Sequence, residues 1–224
     1  MALSRLTYNS LNVTPTASKG IGFDSGADDL AATFSGGSMT FIKKLTASSS
    51  TTLSFVDGTS DVVLDNTYKE YLFTFNNIHP ETDEDYFSFN FSVDSGSNYN
   101  VTKTSAMFRA YHYENDSDAA VGYETGYDQA QSTAFHALVE GGISSDNDAS
   151  LSGTLTLFNP SSTTFVKHFL AQCHALRGSG TPAPIALNNF VAGYGNTTSA
   201  VDAVQFKMES GDIDAGDICL YGIN

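Results

Sequence analysis

From Met39 onward, apolar and polar residues alternate with period two. In YFSFNFSV (86–93), Phe87, Phe89, Phe91 and Val93 fall on one face, and Tyr86, Ser88, Asn90 and Ser92 on the other. That is the pattern of a half-buried strand with its apolar side inward. EYLFTFNNIH (70–79) puts Tyr71, Phe73 and Phe75 on one face. TTLSFV (51–56), MFRAYHY (107–113), LSGTLTLFN (151–159), TFVKHFLAQCHAL (164–176) and AVDAVQFKM (200–208) continue the series. Turn-forming clusters separate them, among them Asp57-Gly58, 94–96, 144–148, Asn159-Pro160 and 178–180. Only GYDQAQSTAFHALV (126–139) has room for a short helix. Many strands, frequent turns and no long amphipathic helix predict an all-β fold, a jelly-roll-like antiparallel β-sandwich over residues 38–224.

The chain closes on DICLYGI (217–223). Ile218 and Leu220 point one way; Cys219, Tyr221 and Ile223 point the other. Neither face is polar. The stretch is therefore expected to be a strand buried on both sides or central in its sheet, with Ile218, Leu220 and Tyr221 largely buried.

Residues 1–37 follow another pattern. Leu3, Leu6, Tyr8, Leu11 and Val13 are scattered among Ser, Thr and Asn without a period. Pro15, Gly20, Gly22, Gly26, Gly36 and Gly37 are expected to break any regular element. Such a stretch cannot bury itself alone. It reads as an extended N-terminal attachment arm whose apolar residues need another surface, the plainer alternative being a disordered leader.

Composition narrows the function classes. The 224 residues carry 25 Asp+Glu against 10 Lys+Arg, a formal net charge of −15. So acidic a surface disfavours nucleic acid and anionic membranes. No run approaches the ~18 apolar residues of a membrane span, and the N-terminus lacks a signal-peptide core. The expectation is a soluble chain made in a cytoplasm. The two cysteines, Cys173 and Cys219, lie in strand-like runs and read as free thiols, with one bridge as the alternative.

Reactive groups are sparse. No H-x-E-x-x-H or G-x-S-x-G signature occurs among the five histidines and the serines. In a strand, His168 and His174 share a face and Cys173 takes the opposite one, a poor geometry for a Cys–His pair or a metal trio. Asp212, Asp214 and Asp217 in DIDAGD are the best calcium candidates, since Ca²⁺ takes six to eight oxygens from such loops. They lack the closing Glu of an EF-hand, and the expected cofactor list is empty. Tyr111, Tyr113, Tyr123 and Tyr127, amid Asp, Glu and Asn, are the candidate glycan contacts, because a tyrosine can stack on a sugar and hydrogen-bond through its hydroxyl.

One stretch is more specific. NTYKEYLFTFNNIHP (66–80) resembles a TYKEYxFxFxNIHP segment of virion structural proteins of marine tailed bacteriophages. The closing LYGI (220–223) and the opening MALSRLTYNSLN are similar to the ends of such phage proteins. The resemblance implies a non-enzymatic virion component in a tail-fibre, head-fibre or capsid-decoration role. Its partners would be other virion proteins and further copies of itself, with a homotrimer expected, and its location the virion after synthesis in the host cytoplasm. The sandwich would project outward, with host-surface contact as an added role. A glycan-binding module recognising host surface polysaccharide is the alternative.

Overall fold

The structure is a computed structural model, and it describes residues 20–23, 30–34, 38–178 and 183–224. The chain divides into two units, residues 1–40 and 41–224. In the first, β1 (Gly20–Phe23) pairs antiparallel with β2 (Leu30–Phe34). The glycines were expected to exclude regular structure here, yet Gly20 and Gly22 lie within β1. The register shifts between them, the kind of irregularity that glycine permits inside a strand. Leu3, Leu6, Tyr8, Leu11 and Val13, the proposed attachment residues, lie outside the described residues.

The larger unit is the all-β antiparallel sandwich that the alternation predicts. Its strands are β3 (Met39–Ser50, which begins just inside the first unit), β4 (Leu53–Val56), β5 (Glu70–Pro80), β6 (Phe87–Ser92), β7 (Lys103–Tyr113), β8 (Ala119–Tyr123), β9 (His136–Ala137), β10 (Leu151–Phe158), β11 (Lys167–Arg177), β12 (Ile185–Gly195), β13 (Ala203–Met208) and β14 (Ile213–Ile223). Eight form one sheet in the order β3-β14-β5-β10-β11-β12-β7-β8, and four form another in the order β4-β13-β6-β9. No helix occurs among the described residues.

Period-two alternation decides which side chains fill the space between the sheets. Phe73 and Phe75 of β5 meet Phe206 of β13, Phe75 also meets Phe87 of β6, and Tyr71 packs edge-on against Tyr68. Phe73 and Phe206 have ring centroids 5.3 Å apart, and Phe75 and Phe87 5.2 Å, both edge to face. Phe89 of β6 reaches Phe169 of β11 at 5.1 Å. Such pairs add specific geometry to a core already driven by apolar burial. The segment 66–80 therefore supplies the heart of the core, with the Tyr71 hydroxyl donating to the Asp65 carbonyl at 3.0 Å.

β14 lies between β3 and β5, central in its sheet as expected. It is not buried on both faces. Ile218 and Leu220 are fully buried, whereas Tyr221 and Cys219 are only half-buried on the outer face. Nothing in the described residues stacks on that side beyond Phe41, whose ring meets Tyr221 edge-on at 5.6 Å. Cys173, on the inner face of β11, and Cys219 are both free thiols.

The stretch 126–139 forms no helix. Its backbone groups are taken by strands: Ser132 exchanges both N–H···O bonds with Lys103, and Leu138 N–H donates to Phe87 O. His136 and Ala137 pair with Phe89 and Ser88 as β9. The segment instead lies alongside the edge of the small sheet.

Candidate functional site

The most unusual surface is the outer face of β10, β11, β12, β7 and β8. These five strands contain no Asp or Glu. Their four cations, Lys103, Arg109, Lys167 and Arg177, all sit at odd positions that alternate toward the inner side. Lys103 and Lys167 are fully buried. Arg109 pairs with Glu124 and Glu140, and Arg177 approaches Glu140 at 3.9 Å. No formally charged side chain other than a histidine is left to point outward.

The outward residues are apolar or neutral, and the register aligns them. Phe190 lies opposite Phe108, which lies opposite Tyr123. One pleat along, Leu170 lies opposite Ala192, and Ala192 opposite Ala106. Phe108 is 46% exposed, Leu170 53%, Tyr123 54% and Val121 74%. The rings of Phe108 and Phe190 stack with centroids 4.7 Å apart and planes 10° apart. One face of each ring is thus spent on the other. Beside this ridge, small residues leave a shallow hollow of about 410 Å³ lined by Ala106, Ala192, Leu170 and Thr156. His168 and His174 share this outer face, and Cys173 turns inward, as the alternation requires.

A second group is polar and buried. Ser88, Asn90 and Ser92 are buried, against the expectation that this face of β6 meets solvent. Residues 99–103 and 129–137 cover Asn90, the Ser92 hydroxyl is enclosed by Asp94 and Gly96, and the Ser88 hydroxyl donates to the Lys207 carbonyl at 3.0 Å. Asn90 Nδ2 donates to the carbonyls of Tyr99 at 2.7 Å and Thr133 at 3.0 Å. Asn90 Oδ1 accepts from Lys103 Nζ at 2.6 Å. Burial pushes the Lys103 ammonium down to about 7. His136, fully buried beside it, is pushed down to about 4, chiefly by desolvation. His136 Nδ1 lies 2.6 Å from the Ala137 carbonyl, so that nitrogen carries the proton and Nε2 accepts from Ser105 Oγ, also at 2.6 Å.

A serine hydroxyl on a histidine nitrogen is the geometry of a nucleophile and its base. Here the imidazole resists protonation, which makes it a weak proton acceptor. Ser105 Oγ also accepts the Gln129 N–H at 2.9 Å. The pair ties the 129–137 segment to β7.

A concave site of about 650 Å³ opens where that segment meets β6 and β13. Tyr86, Tyr127, Asp128, Phe135, Lys207 and Glu209 are among its lining residues. The Tyr127 hydroxyl donates to the Tyr86 hydroxyl at 3.2 Å, and this bond and burial raise Tyr86 to about 12. Lys207 Nζ stands 4.9 Å over the Phe135 ring.

The four candidate glycan tyrosines do not form one platform. Tyr127 lines the concave site. Tyr111 and Tyr113 lie on the inner side of β7, their rings edge to face at 6.0 Å, with the Tyr111 hydroxyl donating to Asp118. Tyr123 stands on the opposite side of the sheet, its hydroxyl donating to Asp128 at 2.6 Å. The three calcium candidates also diverge. Asp217 accepts from Lys44 and Thr46 of β3, Asp214 from Ser49, and the Asp212 N–H donates to Glu81. Two register shifts between Ile213 and Asp217 turn these side chains apart. No group of three or more His, Cys, Asp or Glu able to hold a metal occurs among the described residues.

No protein-family model, curated protein or solved structure matches the chain.

Proposed function

We propose that the chain is a non-enzymatic bacteriophage virion structural protein in a fibre or decoration role. Residues 1–37 dock it on capsid or tail proteins, and the β-sandwich is displayed outward, where it contacts further protein copies. The observation that carries this reading is the uncharged outer face of five strands on a chain of net charge −15. An apolar patch of this extent, rimmed by polar loops, suits a surface that another protein covers. The resemblance of 66–80 supports the phage assignment. That segment forms β5 and its flank, so the likeness lies in residues that build the core.

Mass spectrometry of purified particles is the test. Peptides of this chain in stoichiometric amounts are expected, and their absence would overturn the reading. Deleting residues 2–37 should abolish incorporation while leaving the unfolding of the sandwich nearly unchanged.

A second reading has its own support. The concave site beside Tyr127 combines aromatic rings, carboxylates and a lysine, the mixture that holds a saccharide. Binding on a glycan array, lost in both Tyr127→Ala and Phe135→Ala, would favour a glycan-binding module that recognises host polysaccharide.

A further inference from the structure

We propose that the outer face of β10-β11-β12-β7-β8 is a homotypic interface, occupied by the same face of a second copy of this chain. The inference rests on the assembly reading above and names its partner.

Charge argues for a copy of itself. Two chains of net charge −15 repel one another over most of their surfaces. On this face no Asp, Glu, Lys or Arg points outward, so face-to-face contact brings the least like charge together. The nearest carboxylates lie at the rim, Asp116 beside His112 and Asp128 beside Tyr123. An uncharged centre with a charged rim is the anatomy of a protein–protein interface.

Shape argues in the same direction. The Phe108–Phe190 ridge and the Ala106–Ala192 trough lie side by side, one pleat apart. A two-fold axis lying in the interface, parallel to the ridge and midway between ridge and trough, sets each ridge over the other copy's trough, so each copy's phenylalanines enter the other's hollow. An isologous contact requires such self-complementarity. A sugar is a poorer fit, because one face of each phenyl ring is already stacked on the other and no charged side chain of the five strands points outward beside them. Size is adequate. Five strands at about 4.8 Å spacing, four of them roughly 26–36 Å long and β8 roughly 17 Å, present roughly 600–800 Å² per copy. Stable interfaces bury about 800 Å² per partner.

Sedimentation velocity of the full chain at micromolar concentration tests this. A species of twice 23.9 kDa is expected. Its affinity should rise with salt, since screening relieves the repulsion of net charge while the apolar contact persists. Leu170→Glu and Phe190→Glu should each weaken the dimer at least tenfold, and the same charge added at exposed Val93, just past the end of β6, should not. A monomer up to 100 µM-scale concentrations, roughly the upper range of such measurements, would overturn the proposal. So would a trimer, or a dimer indifferent to both face variants. A monomer that is nevertheless abundant in particles defeats this inference and leaves the virion reading standing. A dimer absent from particles does the reverse.

Discussion

The two sheets treat their outer faces in opposite ways. On β6 of the small sheet the outward residues are Ser88, Asn90 and Ser92, and they are buried. On the large sheet the outward residues include Phe108, Leu170, Val121 and Tyr123, and they are exposed. Burial here follows cover rather than polarity. The polar face is covered by the chain's own segments, 99–103 and 129–137 over Asn90 and 94–96 over Ser92, and its side chains all find hydrogen-bond partners. The apolar face has no such cover among the described residues of 41–224. A polar face covered this way fixes one loop arrangement, because a misplaced loop would strand donors in a dry interior. An apolar face has no directional demand and suits a partner that arrives from outside.

The largest expected effect comes from breaking the cover on the polar side. Asn90→Ala removes the acceptor 2.6 Å from Lys103 Nζ, leaving the ammonium only the Val101 carbonyl at 3.1 Å. It also orphans the carbonyls of Tyr99 and Thr133. Removing one partner of a buried charge costs about 3–5 kcal/mol. Urea denaturation should report a loss of that order. The double variant Asn90→Leu with Lys103→Met should lose less than Asn90→Ala alone, since replacing both partners by apolar groups avoids the unpaired charge. A double variant worse than the single one would show that the network, rather than the stranded charge, holds the cover down.

The next effect depends on pH. His136 titrates at about 4 in the fold against 6.5 ordinarily, with desolvation the main cause and Lys103 adding to it, while the Ala137 carbonyl and Asp128 oppose. A base with a lowered folded pKa binds its proton better when unfolded. Its contribution is therefore fully present above pH 6.5 and is lost as pH falls toward 4. At about 1.4 kcal/mol per pH unit, that window corresponds to about 3 kcal/mol. Lys103 obeys the same sign higher up, gaining stability from about pH 7 toward 10.5. Stability measured from pH 7 to 4 should fall less steeply in His136→Gln than in the unaltered chain. Parallel slopes would mean that the cover opens before the imidazole titrates.

Much of the fold was legible because alternation constrains it directly. Tyr71, Phe73 and Phe75 fall inward as the pattern of 70–79 requires, and β14 is central in its sheet. The failures share one cause. Alternation says which residues share a face, and it is silent on what lies over that face. Ser88 and Asn90 read as solvent-facing because the segment that covers them lies some forty residues on, in a stretch whose spacing also suits a helix. Tyr221 read as buried because no polar residue shares its face. The uncharged outer face was within reach of the sequence. LSGTLTLF and IALNNFVAGYG contain no charge, and β7 and β11 carry cations only at odd positions. That signal needs strands summed across a sheet, and strand order was not readable. The scatter of the tyrosines has the same cause, since Tyr123 and Tyr127 lie four residues apart across a turn that sends them to different sides.

The smallest expected effect, and the sharpest for the comparison, pairs two leucines one strand apart. Leu155 of β10 is fully buried, and Leu170 of β11 is 53% exposed. Leu155→Ala should cost about 2–5 kcal/mol, as for any leucine cut from a packed core. Leu170→Ala in a single copy should cost less than about 1 kcal/mol, because half of its surface already meets water. The two values should respond differently to protein concentration. A contact present only between copies stabilises by mass action, so the Leu170→Ala deficit should grow as the sample is concentrated through the association range. The Leu155→Ala deficit should stay constant. Denaturation midpoints at nanomolar and at tens of micromolar protein provide the measurement. A Leu170 deficit of core size at every concentration would mean that the chain covers its own apolar face, and the contrast between the two sheets would disappear.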